Sequence, residues 1–357
     1  MIMNRITRVV IGITLFSLIL SACGSPASTQ APELVENEAI PTVGTDAPFK
    51  LKVSIMPYLS NTVLMIAQSE GYFAEQNLEV EFIPFANTNE LIPLLIAGEL
   101  DAGAPSPSAG FFNAVAKESN IKLILPLTDF VVKDCATVAY LARAEDVQSG
   151  KYTDKQSWSE ARMVISTQAL NSVPGFVLAR TLAPTGLTVD EMTTVVVDSA
   201  AQEEALRNGQ VDIVYAVEPS VTRMTAKGDI SILDFAEQYV PGLTSSMIVV
   251  GPRILENPEV GKGFAIAYLK AVRKYLEGPT ESNVVLASEL TGLPIDLVNK
   301  VCWSNASPDG VVNVPSLMEY QNFLLERELL DQVVEPEKFY EPSFAAEALL
   351  EIGSQLP

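Results

Sequence analysis

The sequence contains no histidine. That removes imidazole as a general acid or base, the Ser-His and Cys-His nucleophile pairs, and histidine metal ligands. Cysteine is nearly absent too, with 3 in 357 residues. No G-x-S-x-G, H-E-x-x-H or phosphate-loop pattern occurs. The expectation is a protein that is not an enzyme and that carries no cofactor and no metal. Positive charge is scarce: 23 Lys and Arg stand against 44 Asp and Glu, a net charge of −21. Such a chain repels nucleic acid and anionic lipid surfaces. No apolar run approaches the roughly 20 residues that a membrane-spanning helix needs.

What is present begins with Arg5 and Arg8, followed by the twelve-residue apolar run Val9–Leu20. That is the length of a signal-peptide core. The run ends in Leu20-Ser21-Ala22-Cys23-Gly24, which resembles the lipobox of bacterial lipoproteins. The resemblance implies a signal peptide over residues 1–22 and lipidation of Cys23. Acyl chains such as palmitate, at about 0.8 kcal/mol per buried methylene, would hold the protein to the extracytoplasmic face of the cell membrane. An ordinary signal peptide with a chance cysteine is the alternative. The processed chain would have 335 residues and a net charge of about −23. That length suffices for two cores. From residue 23 to about 49 the chain lacks periodicity and large apolar residues, and reads as a flexible tether.

Order is expected from Leu51 onward. Strand patterns at 51–55 and 78–82 flank a helix from Asn61 to Glu70, closed by Gly71. Asn87 and Glu90 form a capping-box pair, Gly98 ends the next helix, and Ser108 or Ser106 caps another. Strands follow at 121–125 and 135–142, then a polar loop at 151–159. A second strand–helix series runs through 162–166, 194–197 and 211–216, with a further strand at 246–250. From Pro258 the chain reads as helical, with Phe264, Ala267, Tyr268 and Ala271 on one face. An internal echo joins the halves. Ala97-Gly98-Glu99-Leu100-Asp101-Ala102 returns 111 residues later as Asn208-Gly209-Gln210-Val211-Asp212-Ile213, each followed by a Pro-Ser pair. Alternating strands and helices, met twice, predict an α/β protein of two similar lobes, each a mostly parallel sheet flanked by helices. Ligands of such sheets bind beyond the carboxyl ends of the strands.

Gln68-Ser69-Glu70-Gly71-Tyr72-Phe73 with Asn77-Leu78-Glu79-Val80, Leu95 to Asp101, Asp212 to Pro219, and Asn257-Pro258-Glu259 with the helix behind it resemble a family of solute-binding proteins. These serve ATP-driven (ABC) importers and include binders of nitrate, sulfonates, taurine, thiamine pyrimidine precursors and riboflavin. The resemblance covers most of residues 50–340. Asn77 departs from a common glycine, and asparagine tolerates the positive φ of that turn. The resemblance implies a two-lobed periplasmic-binding-protein type II fold. Lobe 1 would span 50–128 and 252–357, and lobe 2 would span 129–251. A two-segment hinge is expected near Thr128–Ala142 and Ser246–Gly251. It further implies a monomer that closes on a small solute and docks on a membrane permease with its ATPase.

Strand-end loops supply the candidate ligand residues: Tyr58, Ser60, Asn61, Phe85, Asn87, Ser106 and Ser108 in one lobe. The other lobe offers Ser166, Thr167, Asn171, Ser172, Asp198, Tyr215 and Glu218. Each Ser and Asn has helix capping as its alternative role, and each aromatic has core packing. No Lys or Arg occurs among them, while two acids do. That suits a neutral heteroaromatic, such as riboflavin or a pyrimidine, better than an anion. A sulfonate, taurine or nitrate held by amides and hydroxyls is the alternative. A sensor or adhesion lipoprotein is the rival of another class. Cys135 and Cys302 either pair in an oxidising exterior or stay as two separate thiols.

Overall fold

The computed structural model describes residues 47–85, 90–152, 154–167 and 170–353. Residues 47–357 make up one compact unit. Its described residues form ten strands: β1 Phe49–Ile55, β2 Leu78–Pro84, β3 Ala102–Gly103, β4 Lys122–Asp129, β5 Val138–Arg143, β6 Val164–Thr167, β7 Thr193–Val196, β8 Ile213–Val217, β9 Ile230–Phe235 and β10 Thr244–Val250. They form two five-stranded sheets, ordered β2-β1-β3-β10-β4 and β7-β6-β8-β5-β9. Within each sheet three strands run parallel, β2-β1-β3 and β7-β6-β8. One antiparallel strand then enters beside them, β10 in the first sheet and β5 in the second. The two sheets therefore repeat one plan, with the inserted strand taken from opposite directions along the chain.

The sequence echo is the local cause of that repeat. The Asp101 carboxylate accepts from the Lys52 amide of β1 at 2.7 Å and from the Arg253 guanidinium at 2.8 and 2.9 Å. The Asp212 carboxylate accepts from the Val164 amide of β6 at 3.0 Å and from Arg143 at 3.1 Å. Each aspartate thus ties the entry of its lobe's third strand directly to the first strand, and also holds an arginine at the exit of the inserted strand. Gly98 and Gly209 precede them at φ 70° and 69°, a region open to glycine at little cost.

Helices cover both sheets. Phe264, Ala267, Tyr268 and Ala271 of helix Pro258–Tyr275 are buried as expected. The Tyr268 hydroxyl donates to the Pro126 carbonyl of β4 at 2.8 Å. β4 is an edge strand, yet Leu123 bridges to Tyr340, so the edge is covered. The stretch expected as a polar loop at 151–159 includes the start of a short helix, Gln156–Glu160. There Trp158 packs edge-on against Tyr140 with ring centroids 5.4 Å apart.

The chain crosses between sheets twice, over residues 130–137 and 236–243. The first crossing falls where expected. The second precedes the expected Ser246–Gly251, because residues 244–250 are a strand of the first sheet. On sheet membership, lobe 2 therefore stops before Thr244. The crossings are bonded to each other. Glu237 accepts from the Thr137 amide and hydroxyl at 3.1 and 3.0 Å and from the Val138 amide at 2.7 Å. The Gly242 amide donates to Phe130 O at 2.7 Å. Cys135 of the first crossing is disulfide-bonded to Cys302.

Candidate functional site

A cavity of about 90 Å³ lies at the carboxyl ends of the parallel strands, against the crossings. Met56, Tyr58, Leu59 and Ser60 reach it from the loop after β1, and Ala104 and Ser106 from the loop after β3. Tyr215, Val217 and Glu218 reach it from the end of β8, and Val173 and Pro174 from the first turn of a helix in the other lobe. The end of β4 supplies Thr128, the crossings and the inserted strands supply Phe130, Thr137, Val138, Ser245 and Ser246, and a C-terminal segment supplies Ser304. Both lobes therefore face one space, as strand-end binding requires.

Five of the fourteen sequence candidates line this cavity: Tyr58, Ser60, Ser106, Tyr215 and Glu218. Asn87 lies outside the described residues. Asn61 is turned inward, and its Oδ1 accepts from the Met56 amide at 3.2 Å to hold the loop after β1. Phe85 packs on the core, half-buried. Ser108 caps helix Ala109–Ala116 by accepting from the Phe111 amide at 3.3 Å, and it bridges to Ser172 across the lobes. The Asn171 carbonyl accepts from the Ala109 amide at 3.5 Å and the Tyr320 hydroxyl at 3.2 Å. Ser108, Asn171 and Ser172 thus join the lobes beside the cavity and do not line it. The 170–172 turn folds tightly over the helix that follows, and a Cβ on Gly175 would overlap the Leu170 carbonyl. Ser166 is fully buried and accepts from Gln202 Nε2 at 3.3 Å. Thr167 is buried at the end of β6, and Asp198 sits exposed in the turn before helix Gln202–Arg207.

Among the described residues no lysine or arginine lines the cavity, and residues 86–89 and 168–169 contain none in sequence. Glu218 lines it and is 4% exposed. Its carboxylate accepts from the Thr222 amide at 3.0 Å, the Thr222 hydroxyl at 2.7 Å and the Cys302 amide at 3.1 Å. Burial raises its pKa against those bonds, and it does the same to Glu237 behind Thr137. Burial also lifts Asp129, beside Thr128, to about 6. Among the described residues no group of three or more His, Cys, Asp or Glu side chains is arranged to hold a metal ion. None of their helices is long and apolar enough to cross a membrane.

The sequence reasoning missed Thr128, Phe130, Thr137, Ser245, Ser246 and Ser304. They sit at the end of β4, on the crossings, on the inserted strands and on the C-terminal segment, away from the strand ends and following loops of β1, β2, β3, β6, β7 and β8 that carry the sequence candidates.

Two repeated sheets joined by two crossings around one cavity define the two-lobed periplasmic-binding-protein fold. The nitrate-binding protein NrtA of Synechocystis PCC 6803 shares it with a TM-score of 0.70 at 11% identity, over 87% of this chain and 91% of that one. The ligand-binding component of an ABC-type import system from Staphylococcus aureus, solved with zinc bound, gives 0.68 at 15% identity over 84% and 99%. The aliphatic sulphonate binding protein SsuA of Escherichia coli gives 0.64 at 15% identity over 82% and 97%. At these identities the likeness speaks for the fold alone. No curated protein sequence matches the chain. Residues 45–281, well over half of the chain, match the NMT1-like family, and the chain belongs to that family.

Proposed function

We propose that this protein is the extracytoplasmic solute-binding component of an ABC importer. It would capture a small nutrient between its lobes and deliver it, as a monomer, to a membrane permease and its ATPase. The observation that carries this reading is the cavity, walled from both lobes at their strand ends and backed by the two crossings. A ligand touching both lobes favours the closed arrangement, because only differential contact shifts such an equilibrium. Cys23, outside the described residues, would carry the lipid that keeps the protein at the membrane. The lipobox-like sequence supports that part of the reading.

For the ligand we favour a neutral heteroaromatic of vitamin type, riboflavin or a thiamine pyrimidine precursor. The aromatic rings of Tyr58, Phe130 and Tyr215, and a carboxylate with no lining cation, support it. An anion there would face Glu218 unscreened. The hydroxyls of Ser60, Ser106 and Ser246 support the second reading, a sulfonate, taurine or nitrate site, as do the names of the neighbours above. Calorimetric titration of the purified protein with riboflavin, a 4-aminopyrimidine, taurine, hexanesulfonate and nitrate separates these. Tight binding of an anion alone would overturn the heteroaromatic assignment, and turnover of a bound compound would make the protein an enzyme.

A further inference from the structure

The hinge side of the cavity is lined by four buried residues that carry hydroxyls: Thr128, Thr137, Ser245 and Ser304. Three are used by the fold. Thr137 Oγ1 donates to Glu237 at 3.0 Å, Ser245 Oγ to the Thr128 carbonyl at 3.2 Å, and Ser304 Oγ pairs with the Tyr275 hydroxyl at 2.7 Å. The fourth, Thr128 Oγ1, is buried with no hydrogen-bond partner among the described residues, on a residue only 7% exposed. Buried hydroxyls are nearly always bonded, and one left over beside a cavity calls for an explanation.

The strand opposite is reshaped at the same point. The pairing of β10 with β4 slips on both sides of the Ser246–Thr128 pair. In a regular strand Ser245 and Ser246 would face opposite sides of the sheet. Here both line the cavity together with Thr128. A bulge re-aims side chains and is common beside functional sites.

We infer that Thr128 is a ligand-binding residue: its hydroxyl completes its hydrogen bonding on an uncharged polar edge of the solute, of amide, imide or hydroxyl type. The inference rests on the solute-binding reading above. Having no charge, the hydroxyl fits a neutral donor–acceptor edge seated against the β4–β10 bulge, with the ring system toward Tyr58 and Tyr215.

The test is Thr128→Val, which keeps shape and removes the hydroxyl. A hydroxyl unused by the fold can be lost without cost, so the ligand-free melting temperature should stay level or rise. Affinity for whichever probe binds the wild-type protein, riboflavin or the 4-aminopyrimidine, should fall roughly 3- to 10-fold, the worth of one neutral hydrogen bond. A drop of several degrees in the ligand-free midpoint would mean that the fold uses the hydroxyl, and would overturn the proposal without any ligand. Equal affinity in both proteins would overturn the proposal and leave the solute-binding reading standing. A wild-type protein that binds neither probe would remove the ligand class and the proposal together.

Discussion

Replacing Asp129 with asparagine should stabilise the protein at neutral pH and leave it unchanged in acid. Asp129 ends β4 at the first crossing, and its Oδ1 accepts from the Thr244 hydroxyl at 2.6 Å where the second crossing ends. Burial raises its pKa from 3.8 to about 6; the Thr244 bond opposes the rise and nearby Asp309 adds to it. Below about pH 4 the carboxyl is neutral in both folded and unfolded chains, and its contribution is intact. Between about 4 and 6 the unfolded chain ionises first, so stability falls as pH rises. Above 6 the loss is complete, about 3 kcal/mol for a shift of about two units at 1.36 kcal/mol each. Asparagine still offers Thr244 an acceptor and does not titrate. Urea unfolding of both proteins at pH 4 and pH 7.5 reads the difference directly. The expected gain is near zero at pH 4 and about 3 kcal/mol at pH 7.5. Equal gains at both pH values would show that the carboxyl does not titrate across this window, and the reasoning from burial would fail.

Three other perturbations test the frame. The Cys135–Cys302 link spans 167 residues, and the chain-entropy relation assigns it about 5 kcal/mol. The Cys135→Ser, Cys302→Ser double variant should melt ~10 °C lower by calorimetry, and a shift under 2 °C would count against the link. Asp101→Ala strands the Lys52 amide and one end of Arg253. It should cost roughly 2–3 kcal/mol in denaturant unfolding, more than Asp212→Ala, because the Asp101 side chain is 2% exposed and the Asp212 side chain 24%. Cys23→Ser should move the protein from the membrane fraction to the soluble fraction while its solute affinity holds; membrane retention of this variant would remove the lipid from the account.

The elements were legible wherever local physics decides them. Period-2 and period-3.6 patterns, the Ser108 cap and the left-handed glycines at 71 and 98 all depend on neighbours in sequence. Two things depend on distant partners and escaped. Residues 244–250 look like any strand, and nothing in them says that they pair with β3 and β4. β9, Ile230–Phe235, is a half-solvated edge strand whose alternation is weak, so its pattern gave no signal. The candidate site was legible to the same depth. Strand-end loops named regions that border the cavity, but loop direction decides which side chain turns toward it. Asn61 turns in to bind its own loop while Ser60 beside it faces the cavity. Ser245 and Ser246 needed a bulge that no local pattern announces.

The repeated Asp–Arg staple separates what this fold keeps common to its lobes from what it lets differ. Asp101 and Asp212 perform one task, each accepting from a backbone amide of its lobe's first strand, so the two sheets are built alike at this point. The loops those sheets carry are not equivalent. Lobe 1 offers Tyr58, Ser60 and Ser106, a ring with hydroxyls; lobe 2 offers Val173, Pro174, Tyr215 and Glu218, an apolar wall with a ring and an acid. A solute that closes the lobes must satisfy both walls at once, because contact with one lobe alone does not shift the equilibrium. On the solute-binding reading proposed above, ligand choice would reside in the chemical difference between the two strand-end walls on one scaffold. Changing the solute class would require substitutions at Tyr58, Ser106, Thr128 or Glu218 and none at the staples, which lie at the opposite ends of the strands.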